Sequence, residues 1–535
     1  MQSLELDTPN TPAQVAGHAR QGSGWRDYLQ ARSTTLHRVA LLSVVLLGFV
    51  VRAYGLTGYG IWFDEAYHVQ LVTLPTIGEM LRAVLANPPS DPLYVLLLRP
   101  WVALLGPDDL SVRALSVVLS TATLPATYWL GKVAAGRVAG LAGALLLAIS
   151  PYAIEFGQQA SLYVLASLAT TLALAAGLRW RGTGSRRDAL LYLALGIVAI
   201  YSHYVVAAIL GLFVMLSLYK YRGARRVPRR AWVAAHAAIF AAWTPWLLAL
   251  AANWIATPVP RATLRNPATV DQVIGALVQY TSGTAALLQG ARAPEALGVL
   301  AGGLLLLAGW LAGHETSRRG LRLIIVVCGL IFMLPAVVSR ATGLWLFVPH
   351  FMLFLLPALF VVFGAGLAHL ARWPSGGASS LTATWRGYLP VALAAVWLVA
   401  QVWGLALFHR YPPHGADGLR ELAATLDGGT LPGDLVLVTP PVLQASLAQY
   451  YRGETEGLPG DFDLTRLYPP YDAASWYADS LRAFESRAEG RARFWLVYRP
   501  ELDEGGRFLA EVGRRYTEAE RHGYIFASLY LFEGR

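Results

Sequence analysis

The chain has 535 residues, 55% of them hydrophobic and 14% charged, with a formal net charge of +10. Soluble chains carry about 25% charged residues, so a wholly soluble protein is excluded, and the length fits one membrane bundle plus one tail domain. The cations do not mark a nucleic-acid partner. They flank apolar runs, at Arg179, Arg181, Arg186 and Arg187, over Lys220–Arg230, and at Arg318, Arg319 and Arg322, which is the pattern of short cytoplasmic loops.

Residues 1–36 are polar and carry Arg20, Arg26 and Arg32, which predicts a cytoplasmic N-terminal segment. The first span, over about 37–57, has no small-residue cleavage motif and reads as an uncleaved anchor. A long first extracytoplasmic loop, 58–108, follows. Within it, residues 91–106 are apolar but short and are interrupted by Arg99-Pro100. If they spanned, every later basic patch would face outward, so they read as a helix at the outer interface. Further apolar runs lie at roughly 109–131, 137–154, 160–179, 188–202, 204–220, 231–252, 293–313, 321–339, 349–371 and 388–408. The expectation is an α-helical polytopic membrane domain, 37–408, of about 11 transmembrane helices, in a plasma membrane.

The tail, 409–535, is expected outside. It alternates helical and strand patterns: a helix at 418–426, a strand at 435–439, helices at 442–451 and 473–489, a strand at 494–498, a helix near 506–516 and a strand at 524–532. This predicts a small extracytoplasmic α/β domain. It has no Gly-rich phosphate fingerprint and no metal spacing, and the single cysteine, Cys328, rules out an intrachain disulfide.

The candidate chemistry gathers at the expected outer face. Asp64 and Glu65 follow span one in IWFDEAYH. Adjacent carboxylates raise one pKa and supply a general base; equally, the segment is a solvated loop with Trp62 and Tyr67 as interfacial anchors. NPPSDPLY at 87–94 is a stiff turn, either a pocket floor or a helix end. Arg113, near the outer start of the second span, has a fork suited to phosphate and could instead pair with Asp108 or Asp109. The turn SPYAIEFGQQASLY offers Glu155, Gln158, Gln159 and Tyr163 to sugar hydroxyls, or to water. His203 in YSHY and His350 in VPHFM face outward beside His68, but none has i,i+4 spacing to another, so no zinc site is supported.

The order WFDEAYH, PPSDPLYVLLLRPW, LLGPDDLSVRALSVV, SPYAIEFGQQASLY and IYSHYVV resembles the membrane glycosyltransferases of the GT-C superfamily, in particular the bacterial branch similar to protein O-mannosyltransferases and aminoarabinose transferases. The resemblance covers 45–220 well and 220–410 loosely. It implies a GT-C fold and transfer, with inversion, of a sugar from a polyprenyl-phosphate donor to an extracytoplasmic acceptor that is a protein, lipid or wall glycan. It casts Asp64, with Glu65 beside it, as the catalytic base, and Arg113 and His350 as donor-phosphate ligands. Glu155, Gln158, Gln159, Tyr163 and His203 are the expected substrate-binding groups. No cofactor is demanded, and a divalent metal is left open. The chain departs from the family in its second outer turn, where Gln159 and Ser161 stand in place of an acid and an arginine. The competing reading is a transporter or flippase of lipid-linked or small polar substrates, which would show internal repeats and mid-bilayer charges. A structural or assembly protein that uses the tail for docking is a third.

Overall fold

A computed structural model describes residues 35–87, 91–219, 226–256, 266–290, 292–313, 319–372, 380–411, 418–464, 473–500, 503–524 and 527–534. The N-terminal segment before residue 35, Pro88–Ser90, and Lys220 to Arg225 of the central basic patch lie outside the described residues.

Each expected span falls on a helix. The first, α1, is Thr35–Ala53. Loop one contributes three shorter helices, α2 (Phe63–Thr73), α3 (Ile77–Ala86) and α4 (Pro92–Leu105). The bundle continues with α5 (Asp109–Ala134), α6 (Arg137–Ala148), α7 (Pro151–Gly157), α8 (Leu162–Thr183), α9 (Arg186–Ser202), α10 (Val205–Tyr219) and α11 (Arg229–Ala256). After α12 (Val270–Ser282) and α13 (Thr284–Leu288) come α14 (Ala293–Ala312), α15 (Arg319–Thr342), a 3-10 turn Pro349–Leu355 leading into α16 (Leu356–Leu370), and α17 (Ser380–Arg410).

Eight of these helices are long and apolar enough to cross a membrane, or nine if the bent pair α6 and α7 counts as one span. The chain is a multi-pass membrane protein. The run expected to span straight over 137–154 instead bends by 64°, because Ser150 caps a new helix whose first residue is Pro151. α4, at 14 residues, is about 21 Å long at 1.5 Å per residue, too short for a bilayer core of about 30 Å. It buries Tyr94, Val95, Leu98 and Val102 and exposes Leu96, Leu97, Leu104 and Leu105. Arg99, an odd residue in such a helix, donates to the carbonyls of Val72, Leu74 and Pro75 and so caps the C-terminal end of α2. α12 was not foreseen. It buries Ala276, Val278 and Tyr280, exposes Val270, Ile274 and Leu277, and the Tyr280 hydroxyl donates to the Pro349 carbonyl at 2.9 Å.

Small residues let the bundle close. A Cβ on Gly140 would lie 2.5 Å from the Tyr128 carbonyl oxygen, and one on Gly364 2.5 Å from that of Ala139. Where lipid surrounds the helices, such backbone approach supplies much of the packing energy.

The tail is an α/β domain with helices on both faces of a mixed five-stranded sheet. Its elements are α18 (Leu419–Gly429), β1 (Leu435–Thr439), α19 (Val442–Leu447), β2 (Glu456–Gly457), α20 (Ala473–Ala488), β3 (Arg493–Tyr498), α21 (Arg507–Arg515), β4 (Tyr516–Gly523) and β5 (Ser528–Gly534). The strand order is β2-β1-β3-β5-β4, parallel through β1 and β3 and antiparallel from β3 to β4. LVLVT is buried at every position because both of its faces are covered. The strand expected at 524–532 is instead the second arm of a hairpin. Its partner β4, reading YTEAERHG, is an edge strand exposed at most positions and carries no apolar alternation to announce it.

Candidate active site

Loop one is fastened to the bundle by one arginine. Arg113, on the first turns of α5, is fully buried. Its Nε donates to Glu65 Oε1 (2.8 Å), and one terminal nitrogen donates to Glu65 Oε2 (2.7 Å) and to the Gly60 carbonyl (2.8 Å). The other terminal nitrogen donates to the carbonyls of Leu56 (2.8 Å) and Tyr59 (2.9 Å). A guanidinium has five N–H donors, and all five are engaged inside the protein. The Tyr59 ring also covers its face, 4.3 Å from centroid to Cζ.

Glu65 is equally saturated. Besides Arg113 it accepts from the amides of Trp62 (2.9 Å) and Ala160 (2.9 Å). Burial alone would raise its pKa, but the Arg113 charge, with these hydrogen bonds, holds the carboxyl below its ordinary value. The contact to Trp62 caps the start of α2. Where the sequence reading sets Glu65 beside the base and Arg113 on the donor phosphate, the structure uses every hydrogen-bonding position on the pair to join loop one, α5 and the 157–161 turn.

With Glu65 pinned, Asp64 is the exposed acid on the first turn of α2. It stands at a cavity of about 350 Å³. One wall is loop one, with Trp62, Tyr67, His68 and Asn87. Gln159, Tyr163, His203, Trp345, His350 and Phe351 close the other side. Of the expected substrate groups, Gln159, Tyr163 and His203 reach this cavity with Asp64, as does His350, the expected phosphate ligand. Tyr163 packs against His350 (ring centroids 5.2 Å apart) and His203 (5.7 Å), and His203 packs against Phe351 (5.3 Å). The late His350 segment and the second outer turn thus meet through rings.

Glu155 and Gln158 are not on the cavity wall. Gln158 is buried and donates to the carbonyls of Arg52 (3.0 Å) and Tyr54 (2.7 Å), holding the end of α1. Glu155 is buried and accepts from the Thr284 amide (3.4 Å), tying α7 to α13. Both belong to the framework because α7 is buried along its whole length, so its polar side chains must find partners inside.

Two further cavity residues, His68 and Asp91, receive no role from the sequence. His68 is buried, and its Nδ1 donates to the Ala160 carbonyl at 2.9 Å. Burial pushes its pKa down to about 4, so the ring is neutral near pH 7 and Nε2 remains an acceptor. Asp91, inside the stiff turn already noted, is the other. Its burial raises the carboxyl pKa to about 8. An acid before proline at a helix start reads as an N-cap, so nothing local marks either residue. Among the described residues, no lysine or arginine lines the cavity, and no three His, Cys, Asp or Glu side chains group to hold a metal ion.

The tail domain packs against loop one and the start of α5. Tyr450 donates to Asp109 Oδ2 (2.7 Å) and accepts from the Ile61 amide (2.6 Å). Arg420 pairs with Asp109 and donates to the Thr57 carbonyl (2.8 Å). The Phe462 ring meets Phe63 edge-on at 6.0 Å.

This architecture, a helical membrane bundle with an acid-bearing first loop and a small α/β domain packed on it, is shared with solved structures of the GT-C fold. ArnT from Cupriavidus metallidurans, solved with undecaprenyl phosphate, aligns over 92% of this chain and 97% of its own, with a TM-score of 0.57 and 14% identity. The archaeal oligosaccharyltransferase AglB from Archaeoglobus fulgidus, solved with an inhibitory peptide and a dolichol-phosphate, aligns over 93% of this chain and 74% of its own, with a TM-score of 0.55 and 11% identity. No family model and no curated protein matches the chain.

Proposed function

We propose that this protein is a membrane glycosyltransferase that moves a sugar from a polyprenyl-phosphate donor to an acceptor hydroxyl at the extracytoplasmic face, with Asp64 as general base and with inversion. The observation that carries the reading is the division of labour between adjacent acids. Glu65 is locked to Arg113 and holds the start of α2 in place, which leaves Asp64 on a fixed helical turn at the mouth of a cavity large enough for a sugar. The likeness to structures containing undecaprenyl phosphate and dolichol-phosphate supports a lipid-phosphate donor. The orientation that goes with it puts the N-terminus in the cytoplasm and both loop one and the tail outside.

In the reaction, the acceptor oxygen attacks the anomeric carbon from the face opposite the phosphate. Its proton passes to the Asp64 carboxylate as the new C–O bond forms. The bond from the anomeric carbon to the phosphate oxygen breaks, and polyprenyl phosphate leaves with the electron pair. Charge on the leaving group needs donors placed in advance. With Arg113 spent, that role falls to His350, with the Gln159 amide and the Tyr163 hydroxyl on the same wall. His203 and the aromatic side chains Trp62, Trp345 and Phe351 flank the sugar.

Asp64→Asn tests the assignment. A general base contributes roughly 10²–10⁴-fold in rate, so the variant should lose that much kcat while keeping its melting temperature and its affinity for the donor lipid. Near-normal turnover would remove Asp64 from the mechanism.

A further inference from the structure

Asp91 stands at the N-cap of α4, where an aspartate ordinarily accepts a hydrogen bond from the second or third amide of its own helix. It makes no such bond. Instead Oδ2 accepts the Tyr204 amide, 113 positions away, at 2.9 Å. The side chain is 3% exposed and lines the same cavity as Asp64. Oδ1 is buried with no hydrogen-bond partner among the described residues.

A buried polar atom without a partner costs about 1–3 kcal/mol, and an aspartate that also gives up its cap has declined the cheapest way to avoid that cost. Tyr204 accounts for one oxygen only. The residue lines a space bordered also by an amide (Asn87), an imidazole (His203) and aromatic rings (Tyr67, Tyr163, Phe351). That mixture of flat apolar faces with a few oriented polar groups suits a polyhydroxylated ring better than a lipid tail.

We propose that Asp91 recognises a hydroxyl of the sugar held in the cavity, so that the site contains two working acids: Asp64 for the proton and Asp91 for sugar placement. The inference rests on the glycosyltransferase reading above and adds a residue to it. Burial makes the role compatible with a phosphate nearby. With its pKa raised to about 8, the Asp91 carboxyl is largely protonated near pH 7. It donates O–H to a sugar oxygen and does not repel the donor's anion. Asp91 is a positioning residue, and it takes no proton from the acceptor.

The test separates sugar from lipid. Full-length protein in detergent is titrated with undecaprenyl phosphate and with undecaprenyl-phosphate-linked mannose, glucose, galactose and arabinose. The ratio of the affinity for the best sugar-bearing lipid to that for the bare lipid is then compared among wild type, Asp91→Ala and Asp91→Asn. The expected result is that Asp91→Ala weakens the sugar-bearing lipid roughly ten-fold, the scale of one buried hydrogen bond, and leaves the bare lipid unchanged. Asp91→Asn, which keeps an acceptor for the Tyr204 amide and a donor for the hydroxyl, should recover most of the preference. Equal weakening of both lipids would reduce Asp91 to a prop for the α9–α10 link and overturn the proposal, as would an unchanged ratio in Asp91→Ala or a failure of Asp91→Asn to recover it. A wild-type protein that binds none of these lipids overturns the donor reading and this inference together, and that result is recognisable because it needs no substitution.

Discussion

At the scale of single residues, two acids one position apart have opposite fates, and the difference comes from partners that no local pattern reveals. Glu65 lies 48 positions from Arg113, so neither the pairing nor the exhaustion of the guanidinium's donors could be read from IWFDEAYH or LSVRALS. What the structure brings together from the expected residues is Asp64, Glu65, Gln159, Tyr163, His203 and His350, which line one cavity. Asp91 stayed hidden because its meaning lies in a missing cap and a distant amide. Breaking one partner of a buried ion pair costs roughly 3–5 kcal/mol, and removing both charges costs less. Glu65→Gln should therefore lower thermal stability in detergent by about that amount, and Glu65→Gln with Arg113→Met should regain part of it. A Glu65→Gln protein that melts like wild type and has lost only kcat would return the base to Glu65.

Asp91 also leaves a signature in the pH dependence of stability. Its pKa is near 8 in the folded protein, against an ordinary 3.8, so the folded state holds the proton more tightly than the unfolded one. The stabilising contribution is full below the unfolded value and is lost as pH rises through about 8. Wild type should thus lose stability relative to Asp91→Asn between pH 5 and 8, by up to about 1.4 kcal/mol per pH unit, and the difference should level off above that range. Parallel melting curves for the two proteins across it would show that Asp91 is already ionised.

At the scale of elements, hydropathy located the bundle helices because a bilayer demands long apolar runs. It could not distinguish a straight span from the bend at Ser150, nor detect α12, which at 13 residues is too short to register as a span. The edge strand β4 escaped because it is exposed at most positions and has no apolar alternation. The contact between tail and loop one was equally invisible, since it joins Ile61 and Asp109 to Tyr450 across more than 300 positions. Tyr450 satisfies the Ile61 amide just ahead of α2, so the tail holds the segment that carries Asp64. Tyr450→Phe should accelerate hydrogen exchange in the 57–66 peptide by several-fold, with the sheet of the tail unaffected. Unchanged exchange there would mean that Arg113 alone fixes the loop.

At the scale of the whole molecule, the candidate cavity lies where the bundle, loop one and the tail converge, and every acid proposed to act enters it from loop one. The proposed donor class rests on this placement, since a lipid-linked sugar would enter such a cavity with its tail among the spans. The most direct measurement uses purified protein in detergent, supplied in parallel with undecaprenyl-phosphate sugars and the matching nucleotide sugars, with release of the carrier followed over time. The account predicts that at least one lipid donor releases free undecaprenyl phosphate, that Asp64→Asn abolishes this release, and that nucleotide sugars stay at background. Efficient turnover of a nucleotide sugar, with none from its lipid-linked counterpart, would contradict it.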